Sequence, residues 1–229
     1  MEIAETSKLR DVLIAPKQLE NITMAAEADL PSQFGHFKVV GFIDHDTGKE
    51  HTAIIKGDIS GKKDVPCRIH SECHTGDVLG SLRCDCRRQL EMALEYIEKE
   101  GLGVVLYLRQ EGRGIGLINK INAYKLQEEG LDTVEANLEL GLPAEARRFK
   151  IAAHMLNLLG VISIRLLSNN PLKFKELKEA GIKISGRLPI TVRANPHNRF
   201  YLDTKQKKMH HVFSKSSRLP GHRKTAAGS

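Results

Sequence analysis

The spacing of apolar residues along the chain changes character part-way through. Residues 1–23 form a weakly patterned leader. After it come short runs suited to strands at 37–42, 52–56 and 65–69, separated by turn-rich stretches at 44–48 and 58–61. These runs read as an antiparallel meander. From residue 87 the period lengthens. Leu90, Ala93, Leu94 and Ile97 fall on one helical face, and Gly101 ends the pattern. Residues 104–108 read as a buried strand, followed by a glycine-rich loop at 111–116. A second helix is predicted on Leu117, Ile118, Ile121 and Tyr124. A third is expected from about Ala144 to Leu159, burying Phe149, Ala152, Ala153 and Leu156. Residues 161–167 read as a strand. Asn170 and Pro171 suit the cap and first turn of a fourth helix, which Gly181 ends before a short strand at 182–184.

Strand–helix alternation after a strand-rich opening predicts an α/β fold: a layered α-β-α domain with a mixed sheet and a strand-rich N-terminal portion. Ligands in such sheets gather at the carboxyl ends of strands, which points to the loops after Leu108 and Leu167.

Charge changes this picture little. The chain has 229 residues, with 35 Lys+Arg against 28 Asp+Glu, a formal balance of +7. Seven basic residues and no acidic one fall between Thr204 and Ser229 (Lys205, Lys207, Lys208, Lys215, Arg218, Arg223, Lys224), so residues 1–203 are formally neutral. A basic terminal segment suits a solvated tail better than a nucleic-acid surface, and a nucleic-acid partner is not expected. No run approaches the ~18 apolar residues that cross a membrane, and the N-terminus lacks the basic-then-apolar pattern of a secretory signal. No membrane association is expected, and the expected compartment is the cytoplasm.

The four cysteines crowd into twenty residues. Cys73, Cys84 and Cys86 offer three soft ligands, and a three-ligand zinc keeps its fourth position for water, as catalytic sites do. Such an ion lowers the pKa of its water from about 16 toward about 7, which suits hydrolysis at an electrophilic carbon. His70, His74 or Cys67 could instead close a structural site, or the thiols could simply be buried. The glycines of 112–116 follow G-x-G-x-G, which fails as a dinucleotide fingerprint and suits a tight turn. Composition alone makes Tyr124 a core residue, His154 a packed or solvated histidine, and His210 and His211 a solvated surface.

Several strings are recognisable together. His70-Ser71-Glu72-Cys73, Thr75-Gly76-Asp77, Ser81-Leu82-Arg83-Cys84-Asp85-Cys86 and Gln110-Glu111-Gly112-Arg113 resemble GTP cyclohydrolase II, the family that opens the guanine ring of GTP at the start of riboflavin synthesis. So do Ile115-Gly116-Leu117, Asp132-Thr133-Val134-Glu135-Ala136-Asn137, Asn169-Asn170-Pro171 and Tyr201-Leu202-Asp203-Thr204-Lys205. The resemblance covers about residues 24–213. It implies a catalytic domain over 24–213, flanked by an N-terminal extension over 1–23 and a basic tail over 214–229.

The resemblance also implies roles. Cys73, Cys84 and Cys86 match zinc ligands, one Zn2+ per subunit, with Mg2+ accompanying the triphosphate and a homodimer as the working form. Arg68, Ile69, His70, Ser71, Glu72, Gln89, Glu111, Gly112, Arg113, Thr133 and Lys173 match GTP-binding positions. Ser168 stands where the family has Thr and keeps the hydroxyl. Tyr124, Glu145 and Arg147 match catalytic positions.

Physical chemistry agrees with much of this. Arg68, Arg113 and Lys173 suit a triphosphate, while Glu72, Gln89 and Glu111 offer acceptors to guanine N–H groups. The family describes Arg147 as a nucleophile, yet a guanidinium is protonated at any working pH and better suited to clamping phosphate charge. The family pattern Asp-x-Arg is here Glu145-Ala146-Arg147, one methylene longer. The expected activity is hydrolysis of GTP to a diaminopyrimidine ribosylamino phosphate, formate and pyrophosphate. Two alternatives are a variant of the family that retains a formyl group or serves a specialised pathway, and an inactive nucleotide- or nucleic-acid-binding protein with structural zinc.

Overall fold

The computed structural model describes residues 17–19, 21–199, 201, 202 and 204. The first sixteen residues lie outside it, as do the basic residues from Lys205 onward and His210 and His211.

Eight strands form one mixed sheet in the order β1-β2-β3-β4-β6-β5-β7-β8. β1 (Lys17–Leu19), β2 (Ile22–Ser32), β3 (Gly35–Asp44) and β4 (Lys49–Lys56) run antiparallel in sequence. β4 then pairs antiparallel with β6 (Gly103–Leu108). β5 (Val65–Ser71), β7 (Ile164–Leu167) and β8 (Ile184–Leu188) continue from β6 with parallel pairings.

Successive residues of β6 serve opposite faces. Val104, Leu106 and Leu108 join one hydrophobic cluster, and Val105 joins the other. α1 (Cys86–Glu100) covers one face through Met92, Ala93, Leu94, Tyr96 and Ile97. α4 (Lys150–Leu158) and α5 (Pro171–Glu179) cover the other through Ala152, Ala153, Met155, Leu156 and Leu177. The layered α-β-α reading therefore holds. α1 ends on Gly101 in a left-handed conformation, and the Asn170 side chain accepts from Leu172 N–H at the start of α5, where Pro171 takes the first turn.

Four details differ from the sequence reading. The run at 65–69 does not join the meander; β5 is buried almost throughout and lies between two parallel neighbours, so it shows a continuous apolar stretch rather than alternation. β1 and the start of β2 occupy part of the leader that carried no pattern. The third helix starts at Lys150, not near Ala144. The backbone before it is engaged elsewhere: Ala146 N–H donates to Arg113 O (3.1 Å), Arg148 N–H to Gln110 Oε1 (3.2 Å), and Gln110 Nε2 to Arg148 O (2.8 Å). These bonds hold residues 146–148 as a strap against the loop that follows β6.

The fourth difference concerns α2 (Leu117–Glu128). Its apolar residues Ile118 and Ile121 are 71% and 48% exposed, while Lys120, Ala123, Tyr124 and Gln127 face a cleft. The helix covers a polar site rather than the sheet. A further helix, α3 (Thr133–Glu139), opens with a capping box in which Asp132 accepts from Glu135 N–H and the Glu135 side chain accepts from Asp132 N–H.

Candidate active site

The cleft lies at the carboxyl ends of the parallel strands. β5 ends in Ser71, β6 runs into Gln110–Arg113, and β7 runs into Ser168–Asn170. Two lobes meet there, sharing Ser71, Cys86, Arg113, Arg147 and Tyr201 in their walls. A separate cavity of about 310 Å³, lined by Asp44, Lys49, His51, Arg148 and His154 among others, contains none of the predicted site residues.

The first lobe holds the thiols. The ligand atoms of Cys73, Cys84 and Cys86 all lie within 4.8 Å of one another. A tetrahedral ion bonded to sulfur at about 2.3 Å sets its sulfurs about 3.8 Å apart, and Cys73 Sγ and Cys84 Sγ are 3.7 Å apart. Glycine at 76 permits this approach, because a Cβ there would lie 2.7 Å from Cys84 Sγ and 3.1 Å from Cys73 Sγ. The donor set thus fits a thiophilic metal ion. Among the described residues no fourth protein ligand joins the cluster. Cys67 sits in the β5 core with its thiol pushed up to about 12 by burial, and His70 Nε2 is engaged with Asp77. The closed structural arrangements do not form.

Within the cluster, hydrogen bonds from Cys84 and Cys86, helped by Lys120, pull the Cys73 thiol far below its ordinary value, outweighing burial. Cys84 and Cys86 rise in turn as donors to it. Asp77 fixes the loop behind Cys73: its carboxylate accepts from Cys73 N–H (3.0 Å), Tyr107 Oη (2.9 Å) and His70 Nε2 (3.1 Å). The His70 ring stacks on Tyr107, and burial lowers its pKa.

Around the thiols stand Glu72, Glu111, Gly112, Tyr124 and Thr133, all in the wall of this lobe. Glu72 pairs with Arg109 (3.1 Å). Glu111 accepts from His74 N–H, Gly112 N–H and Lys120. Tyr124 Oη lies 3.3 Å from Thr75 Oγ1, and Arg83 stacks over the ring at 4.3 Å.

The second lobe is basic. Arg68, His70, Gln89, Ser168 and Lys173 line it with Arg113 and Arg147. Arg68 donates to Leu167 O (2.9 Å) and to Gln89, and burial lowers its pKa to about 10. Lys173 Nζ donates to Ile69 O (2.7 Å). The Ile69 side chain itself lies in the core, fully buried, so only its backbone borders the site. Ser168 Oγ accepts from Asn170 N–H.

Arg113 has a left-handed backbone (φ 60°), as does Gly112 (φ 62°), and Ala146 packs directly beside the loop. A non-glycine residue in that region costs on the order of 1 kcal/mol. Both terminal nitrogens of Arg113 and the Nε of Arg68 are buried with no hydrogen-bond partner among the described residues. Buried cationic donors without acceptors are expensive, and an anion would satisfy them.

Glu145 immediately precedes the strap and is not in the wall of either lobe; it grips Arg147 through both carboxylate oxygens. Burial alone would raise the Glu145 carboxyl, but the Arg147 hydrogen bonds and charge outweigh it and hold it below the usual range. Burial would lower Arg147, and Glu145 reverses that.

A family model described as GTP cyclohydrolase II matches residues 23–189. The GTP cyclohydrolase-2 of Proteus mirabilis (strain HI4320) is 59% identical over 192 residues, which cover 84% of this chain and 96% of that protein. The chain belongs to the GTP cyclohydrolase II family. GTP cyclohydrolase-2 of Salmonella typhimurium is 57% identical over 83% of this chain and 97% of its own length. That of Picrophilus torridus is 53% identical over 84% of this chain and all of its own length. No helix among the described residues is long and apolar enough to cross a membrane.

In this member of the GTP cyclohydrolase II family the cleft also contains residues that the motif reading passed over. Arg83, Asn137 and Tyr201 line it from within recognisable strings, so the signal for them was present. Lys120 gave none: on a helix read as apolar inward, a lysine counts as a solvated charge. Its Nζ lies 3.1 Å from Cys73 Sγ and 2.8 Å from Glu111 Oε1.

Proposed function

We propose that the protein is a zinc-dependent GTP cyclohydrolase II, hydrolysing GTP to formate, pyrophosphate and a 2,5-diamino-6-ribosylamino-pyrimidinone 5'-phosphate in the first step of riboflavin synthesis. The observation that carries the reading is the pairing, in one cleft, of an open three-thiol cluster with buried guanidinium nitrogens that lack acceptors. The first suits a hydrolytic metal and the second a polyphosphate.

Cys73, Cys84 and Cys86 would hold one Zn2+ per subunit, which supplies the Lewis acidity that makes water nucleophilic at neutral pH. Arg68, Arg113 and Lys173 bind the triphosphate with its Mg2+, joined by the Ser168 hydroxyl. Glu72 and Glu111 offer acceptors to the guanine N–H groups. Gln89 lies instead in the basic lobe with its oxygen on Arg68 and so serves the phosphate side. His70, Ser71, Gly112 and Thr133 complete the wall, with Ile69 contributing backbone only. Tyr124 hydrogen-bonds or protonates the opened ring beside the thiols.

Arg147 acts as a cation, clamping charge that develops at the α-phosphate when pyrophosphate leaves. Its grip on Glu145 supports that role over a nucleophilic one, since the pairing favours the protonated guanidinium. Glu145 holds Arg147 in place and, in the family Asp's position, stands to accept a proton. We read the enzyme as a cytoplasmic homodimer. Exposed Ile118 and Ile121 on α2, with Val78, Leu79 and Leu82 on the cysteine loop, support a partner surface.

The test is the mass of the product formed from GTP by the zinc-loaded protein with Mg2+, repeated with Glu145→Asp. A deformylated pyrimidine phosphate is expected from both. A product retaining the formyl group would move the reading to the variant branch of the family, and unchanged GTP would refute it.

A further inference from the structure

Lys120 closes a ring of contacts around Cys73. Its side chain is 11% exposed, and its Nζ donates to Cys73 Sγ (3.1 Å) and to Glu111 Oε1 (2.8 Å). The other oxygen of Glu111 accepts the backbone N–H of His74, the residue next to Cys73. Sulfur, ammonium, carboxylate and backbone thus form a loop that holds Cys73 by its side chain and by the adjacent peptide. Glu111 is held in turn by Gly112 N–H at 2.6 Å. α2 brings Lys120 to this position on the face that also carries Ala123, Tyr124 and Gln127.

We propose that Lys120 is a positioning residue of the metal centre, which orients the Cys73 sulfur and couples it to Glu111 in the wall of the same cleft. The proposal rests on the reading of the three cysteines as metal ligands. Three thiolates around a divalent ion leave one excess negative charge. An ammonium hydrogen-bonded to one sulfur offsets it and fixes that sulfur's direction. Partners of this kind, one step out from a metal, typically change metal affinity or activity about 10–100-fold when removed. A lysine that merely paired with Glu111 would leave the metal–sulfur bond untouched.

The experiment loads wild type, Lys120→Met and Lys120→Arg with Co2+, whose thiolate charge-transfer absorption reports on the sulfur ligands. It also follows metal transfer to a chelator and measures kcat and KM for GTP. Wild type is expected to take up one Co2+ per chain. Lys120→Met should shift the charge-transfer band, release the metal about 10–100-fold faster, and lose kcat by more than KM rises. Lys120→Arg should recover part of each. If Lys120→Met does not fold, Lys120→Gln, which keeps a polar side chain, is read in its place with the same expectation. A band and a release rate equal to wild type would overturn the role of Lys120. Failure of wild type to bind Co2+ at all would instead overturn the reading of the cysteines, and the proposal with it.

Discussion

Replacing Gly76 by alanine inserts a methyl group where two thiols converge. The backbone there is not left-handed, so alanine brings no conformational strain. The added Cβ lies 2.7 Å from Cys84 Sγ, 3.1 Å from Cys73 Sγ and 3.3 Å from Cys86 Cβ. Ordinary contacts of such atoms begin near about 3.5 Å, so Cys84 Sγ has to retreat by roughly 0.8 Å. Metal–ligand distances tolerate only about 0.2 Å. The displacement is several times that margin, whereas relieving the overlap in the metal-free chain costs only about 1–3 kcal/mol. Gly76→Ala should therefore fold, give a native circular dichroism spectrum, and retain at least tenfold less zinc than wild type after dialysis. GTP turnover should fall in parallel. One metal ion per chain with wild-type turnover would refute the geometry assigned to the cluster.

Three other perturbations follow from the same contacts. Arg113→Met removes two buried nitrogens that lack acceptors, each costing about 1–3 kcal/mol. The Tm of the unliganded chain should hold or rise while the stabilising shift on adding GTP disappears; an intact GTP shift would contradict the phosphate role. Arg147 holds the Glu145 carboxyl below its ordinary value of 4.5. A group with a depressed folded pKa contributes stability that is present above its unfolded pKa and lost as pH falls through the folded value. Urea midpoints of metal-free wild type and Glu145→Gln should thus converge as pH drops from about 6 to about 3, and parallel curves would show that the pair contributes nothing. Asp77→Ala leaves the donors of Cys73, Tyr107 and His70 without their acceptor, which should cost about 1–3 kcal/mol in urea unfolding; an unchanged midpoint would remove Asp77 from the support of the cysteine loop.

The elements legible in the sequence were those whose burial follows a single rule. α1 buries one stripe against the sheet, β6 is apolar on both faces, and α5 announces itself through Asn170 and Pro171. The misread elements obey a second constraint that periodicity does not carry. β5 resembles any short strand until its two parallel neighbours are known. The strap at 146–148 has helical composition, but its backbone is claimed by Gln110 and Arg113. α2 turns Lys120 and Tyr124 inward because it roofs a cleft, leaving Ile118 and Ile121 outside.

In the site, the three cysteines could be singled out because thiols at that spacing are rare and have few uses. Lys120 could not be singled out, because a lysine acquires its role only from what the fold brings within reach. The basic excess near the C-terminus, prominent in the composition, lies outside the described residues; the cations that line the basic lobe are Arg68, Arg113, Arg147 and Lys173.

The central claim joins the three-thiol cluster to GTP hydrolysis. Its most direct test is to strip the protein with a chelator, confirm loss of metal, and follow formate and pyrophosphate from GTP with Mg2+ before and after adding Zn2+. The account predicts no formate from the stripped protein, and restored release of formate and pyrophosphate in equal amounts once about one Zn2+ per chain is bound. Formate release at the wild-type rate from the metal-free protein would contradict it.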